Sequence, residues 1–210
     1  MFVRNRHHFG VRLVLAIGAM ALFVLGYQWG NQYRFGSTAP PEIRGVLIQP
    51  PGEIPEFGLR DPFGRSVGRA DLVGSWTLLA FGDLAEATGQ RAAQRLIETR
   101  NRLSDRPELI ERLQLILVQT SERLELARDF ARLSPVLRPL AGPPESIAPL
   151  HEGLGLVSGV GPMLFVIGPD ARLRAILPET ESGAAMAEDV KALMASDRIS
   201  VSASPSLPRP

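Results

Sequence analysis

Residues 78–96 read LLAFGDLAEATGQRAAQRL. With Trp76 and Thr77 ahead of it, the apolar run to Phe81 has the length and continuity of a strand covered on both faces. From Ala85 to Leu103 the pattern changes. Ala92, Leu96, Ile97 and Leu103 recur at helical spacing with arginines between them, so a helix follows the strand. A strand-to-helix loop at the C-terminal end of a β-strand is where many α/β proteins keep their chemistry. This one, Gly82 to Gln90, contains no Cys, no His, no glycine-rich phosphate cradle and no Ser beside a base.

The same reading extends in both directions. Phe57 to Val67, FGLRDPFGRSV, places Asp61-Pro62-Phe63-Gly64 between two short segments and predicts a hairpin. Leu113 to Val118 is a second buried strand. Thr120-Ser121 look like a cap for the helix ERLELARDFARL that follows. Pro143-Pro144-Glu145 start a short helix that runs through Leu154. Met163 to Ile167 is a third strand, turned at Gly168–Ala171 into a partner over Leu173 to Leu177, and a last helix spans Ala184 to Ala195. Strands alternating with helices, then a terminal hairpin and helix, predict a three-layer α/β domain of thioredoxin-like type with an N-terminal β-hairpin.

Composition sets the class. Of 210 residues 45% are apolar and 21% charged, which supports a globular core, and the net charge of +1 with no basic block interleaved with aromatics argues against nucleic acid. The absence of cysteine rules out disulfides, thiol redox chemistry and thiolate metal sites.

Residues 13–33, LVLAIGAMALFVLGYQWGNQY, carry no charge, and roughly 20 apolar residues are what a hydrocarbon core of about 30 Å requires. Arg4, Arg6 and Arg12 precede the run. The positive-inside rule therefore predicts a single transmembrane anchor at 13–33, a cytoplasmic terminus at 1–12 and the rest of the chain outside. A cleaved signal peptide is the competing reading, but the best cleavage site, Ser37-Thr38-Ala39, is followed by Pro40-Pro41. Residues 34–53 read as a Pro/Gly-rich tether, 54–197 as the folded domain and 198–210 as a disordered tail.

From about Ile54 to Leu193 the chain resembles the SCO/SenC family, membrane-anchored thioredoxin-fold proteins linked to copper delivery and cytochrome oxidase assembly. FGLRDPFGRSVGRADLVGSWTLLAFG, LVQTSERLELARDF, LAGPPESIAPLHEGLGL and LFVIGPDARL carry the resemblance by their order and spacing. It implies a location at the bacterial inner membrane with the domain in the periplasm, and respiratory oxidase subunits or other assembly factors as partners. Family members carry a CxxxC pair after the Phe-Gly strand end and a His before the terminal hairpin, a soft site suited to copper. Here those positions fall on Glu86, Gln90 and Val160, and Thr120-Ser121 replace the usual Asp-Pro. No catalytic residue, metal ligand or cofactor is carried over. The resemblance also favours a cis bond before Pro162.

Asp83 and Glu86 are the acids of the loop, and acids at a helix start commonly serve its dipole. His151, the one histidine of the domain, reads as a solvated polar residue. Three functions are consistent with these residues. The preferred one is a non-catalytic SCO-like accessory in oxidase assembly. The alternatives are a generic tethered interaction module and a repurposed site using Glu86, Asp83 and His151, which requires His151 to approach the Phe81 strand end.

Overall fold

The computed structural model describes residues 15, 18–20, 22, 23, 40–121, 123–155 and 163–202. The chain divides into two units, residues 42–195 and residues 1–41 with 196–210. In the smaller unit, residues 15, 18–20, 22 and 23 are helical and exposed. Among the described residues no helix is long and apolar enough to cross a membrane; most of the predicted anchor, 13–33, lies outside them.

The larger unit contains β1 (Val46–Glu53), β2 (Gly58–Arg60), β3 (Ser66–Gly68), a 3₁₀ turn at Arg69–Leu72, β4 (Trp76–Phe81) and α1 (Ala87–Asn101). Then come α2 (Pro107–Ile110), β5 (Leu113–Val118), α3 (Leu124–Leu133), β6 (Leu137–Leu140), α4 (Pro144–Gly153), β7 (Met163–Ile167) and β8 (Arg172–Pro178). The last helix, α5, is Gly183–Ser202. The main sheet runs β1-β8-β7-β4-β5-β6, with β4, β5 and β6 parallel and β1, β8 and β7 added antiparallel. β2 and β3 form the predicted hairpin, in register Leu59 opposite Val67.

Successive strand residues point to opposite faces, which makes the sheet the middle of three layers. Trp76, Leu78, Ala80, Leu115 and Leu117 face Ala92 and Leu96 of α1 and Met186 and Val190 of α5. Leu79, Ile116, Val118, Phe165 and Ile167 face the hairpin residues Leu59 and Val67 and Ile147 and Leu150 of α4. Burial on both faces explains why β4, β5 and β7 are predominantly apolar, the polar exceptions Thr77 and Gln114 bonding each other across the sheet at 2.7 Å.

The domain begins before Ile54. Residues 46–53, read as tether, form edge strand β1, pairing Val46 with Ile176 and Glu53 with Arg172. Its prolines, Pro50 and Pro51, lie where the ladder is interrupted between Leu47 and Gly52; edge strands tolerate such residues because proline donates no ladder hydrogen bond. The bond before Pro50 is cis. The entry is fixed by Asp189 of α5, a buried carboxylate whose Oδ2 accepts the N–H groups of Arg44 and Gly45, each at 3.0 Å. At the other end α5 continues to Ser202 rather than stopping near Ala195, since the first proline that would break it is Pro205.

Candidate functional site

Parallel pairing sets Phe81 opposite Val118, so the residues after β4 and β5 emerge side by side. The Gly82 N–H still donates to Val118 O (3.0 Å), while the Gln119 N–H donates to Leu140 O of β6 (2.7 Å). Beyond these bonds the chain after β4 turns away into the loop that leads to α1.

The loop is closed by its own polar groups. Asp83, only 8% exposed, accepts the Ala85 N–H through Oδ1 at 2.8 Å, and its carbonyl accepts the Glu86 N–H at 2.9 Å. The Ala85 N–H holds the Asp83 carboxyl below its ordinary range, helped by the Ser121 hydroxyl and the Arg123 charge, while burial acts in the opposite direction. Gln119, fully buried, crosses from the end of β5 so that its Oε1 accepts the Leu84 N–H at 3.1 Å. From α1, Gln90 Nε2 donates to Leu84 O at 3.0 Å.

Two glycines let the backbones meet. A Cβ at Gly89, in the first turn of α1, would run into the Asp83 carbonyl and lie 2.7 Å from the Asp83 nitrogen. A Cβ at Gly82 would lie 2.6 Å from the Gly89 Cα. Those separations are shorter than packed atoms tolerate, so both positions require glycine for close approach.

Glu86 is the N-cap residue of α1, with extended backbone and no side-chain cap hydrogen bond; its exposed carboxylate accepts from the Thr88 hydroxyl at 3.4 Å. Gln90 is exposed and its amide is turned back onto Leu84. The acid that organises the loop is therefore Asp83, acting through local N–H groups, rather than a carboxylate pair at the helix end. Thr120-Ser121 do not cap α3: the helix starts at Leu124 behind Arg123, without a side-chain cap bond, and Ser121 faces Asp83 instead. Val160 and Pro162 lie outside the described residues.

His151 approaches the strand end. Its ring meets Phe81 edge-on, with centroids 4.9 Å apart and planes at 82°, and Phe81 in turn packs edge-on against Phe165 at 6.0 Å. The imidazole is thus half-buried against β4 rather than freely solvated. Gln119 is the residue that the sequence reading missed. Its only signal was a polar side chain directly after the apolar run of β5.

From the loop, an open groove of about 1000 Å³ extends along α1, with Leu84, Ile97, Leu126 and Phe130 as its apolar lining and Gln90 and Lys191 among its polar ones. Glu188 raises the Lys191 pKa above its ordinary value and Asp105 adds to this, against the effect of burial. Lys191 therefore stays charged.

Solved structures with the same arrangement of elements identify the architecture. Arabidopsis thaliana ScoI with copper bound matches with a TM-score of 0.59 at 15% identity, over 67% of this chain and 98% of that one. The fold is that of the Sco proteins. Yeast Sco1 with copper bound matches with a TM-score of 0.58 at 14% identity, over 69% and 94%. BsSco, described as a member of the Sco family of cytochrome c oxidase assembly proteins and as carrying a disulfide switch, matches with a TM-score of 0.54 at 18% identity, over 71% and 97%. No sequence-family model matches the chain, and no curated protein matches it in sequence. At these identities the likeness establishes the Sco form of the thioredoxin-like fold and nothing finer.

The copper carried by two of these Sco structures does not suit the residues found here. Glu86 and Gln90 face solvent, and Gln90 presents a committed N–H donor. Among the described residues no three of His, Cys, Asp and Glu converge on a common point. A soft Cu(I) site needs thiolate or imidazole donors converging on the ion, and this loop instead directs its polar groups at its own backbone.

Proposed function

We propose that this chain is a Sco-like protein without a thiol or copper site, a non-catalytic accessory in cytochrome c oxidase assembly. In this reading residues 13–33 anchor it in the inner membrane of a bacterium and the folded domain lies in the periplasm. The observation that carries the proposal is the Sco scaffold combined with a loop, at the family's metal position, whose side chains bond its own backbone: Asp83 to Ala85, Gln119 to Leu84, Gln90 to Leu84. Contacts with oxidase subunits or other assembly factors then replace metal transfer.

Gene deletion in the native bacterium tests this. Membrane cytochrome c oxidase activity should fall and should return equally with the wild-type chain and with the Glu86→Ala/Gln90→Ala double variant. Undiminished oxidase activity in the deletion strain would overturn the oxidase role and leave a generic interaction module.

One observation supports a second reading, a repurposed site using Glu86 and His151: the imidazole does approach the strand end, at Phe81. In the same complementation, loss of function in a stably folded His151→Ala variant would select it. Restoration by that variant would retain the non-catalytic reading.

A further inference from the structure

Three polar groups beneath the loop, on Gln119, Ser121 and Asp83, keep hydrogen-bonding capacity that the bonds closing the loop do not take up. The Gln119 side chain is fully buried, and its Nε2 has no hydrogen-bond acceptor among the described residues. Ser121 Oγ is likewise buried without a well-directed hydrogen bond. Beside Ser121 lies the Asp83 carboxylate, of which Oδ1 is taken up by the Ala85 N–H.

The carboxamide cannot be turned over to relieve its orphaned donor. Flipping it would direct Nε2 at the Leu84 N–H, two donors face to face, and would remove the acceptor that this N–H now uses at 3.1 Å. A buried N–H left unpaired is costly, and such groups in folded proteins find a protein or water partner. The partner must accept from Nε2 and donate to the carboxylate, which can only accept. A metal ion is repelled by the amide hydrogens, and an anion by Asp83. A neutral molecule with both donors and acceptors satisfies all three groups, as buried waters do.

We propose that this chain holds one ordered water between the loop and the end of β5, bonded to Gln119 Nε2 and bridging to Ser121 Oγ and the Asp83 carboxylate. The water links the two parallel strand ends as a resident structural ligand. The assignment rests on the buried donor and stands independently of any role in oxidase assembly.

A crystal structure of the full chain, at a resolution that shows ordered solvent, tests the proposal without a variant. The expected result is one water at roughly 2.7–3.2 Å from Gln119 Nε2 that also touches Ser121 Oγ or an Asp83 oxygen. A protein acceptor on Nε2, or no solvent density there, would overturn it. In solution, ¹⁷O relaxation dispersion of the full chain in detergent should count one fewer long-lived water in Gln119→Met than in the wild type. Should Gln119→Met not fold, the water–amide cross-peak of the wild-type Gln119 side chain takes its place, with its absence counting against the site.

Discussion

Substituting Gly89 by alanine tests the closed loop most sharply, because two effects with opposite signs compete there. In a helix, Gly→Ala alone gains about 1 kcal/mol. At Gly89 the new Cβ runs into the Asp83 carbonyl and lies 2.7 Å from the Asp83 nitrogen, so backbone rather than a flexible side chain must yield. Overpacking of this kind costs about 1–3 kcal/mol. Moving Asp83 also disturbs the Asp83–Ala85 and Gln119–Leu84 hydrogen bonds, worth about 1 kcal/mol each. The net expectation is a destabilisation of about 2–4 kcal/mol, or roughly 4–16 °C in Tm at the 2–4 °C per kcal/mol of a chain this size. Thermal unfolding of the full chain followed by circular dichroism measures it. Gly58→Ala is the control, since a Cβ there meets nothing within 4 Å; its Tm should change by no more than a few degrees. A Gly89→Ala variant as stable as the wild type, or more stable, would refute the close packing of loop and helix.

Three further outcomes follow from the same contacts. The Asp83 carboxyl is held below its unfolded pKa, so its contribution to stability is complete above the ordinary aspartate range and is lost as pH falls through its lower folded value; Asp83→Asn should flatten the acid limb of a Tm-against-pH profile, and an unchanged limb would count against the assignment. Asp189→Ala removes the acceptor of two N–H groups ahead of β1 and should cost about 1.5–3 kcal/mol, with faster hydrogen exchange at Arg44 and Gly45; exchange left at its wild-type rate would show that β1 is anchored by other means. His151→Ala gives up an edge-on ring contact with Phe81 and should cost about 0.5–1.5 kcal/mol beyond lost area, measured by urea unfolding, whereas a neutral substitution would mean the contact is not maintained in solution.

What the sequence revealed depended on burial. β4, β5 and β7 are covered on both faces, so their apolar runs specified them to the residue. β1 and β6 escaped because each carries proline, Pro50 and Pro51 in one and Pro139 in the other, and both lie at sheet edges where proline is tolerated. At the site, the positions of Glu86 and Gln90 after the strand were legible from the order of motifs. The hydrogen bonds that close the loop were not. They depend on Gln119 reaching across from a neighbouring strand, 35 residues from its partner Leu84, and no local pattern encodes that contact. Ser121 misled for a related reason. A hydroxyl ahead of a helix suggests a cap, yet Ser121 Oγ is buried toward Asp83 and α3 starts without a side-chain cap bond.

The inward-turned loop on a Sco-type scaffold should leave the protein unable to bind copper. Titration of the full chain with Cu(I) against a competing chromophoric chelator measures this directly. The account predicts no stoichiometric uptake at micromolar free copper, with Glu86→Ala and Gln90→Ala variants indistinguishable from the wild type. One equivalent bound with submicromolar Kd, and lost on changing either residue, would contradict it.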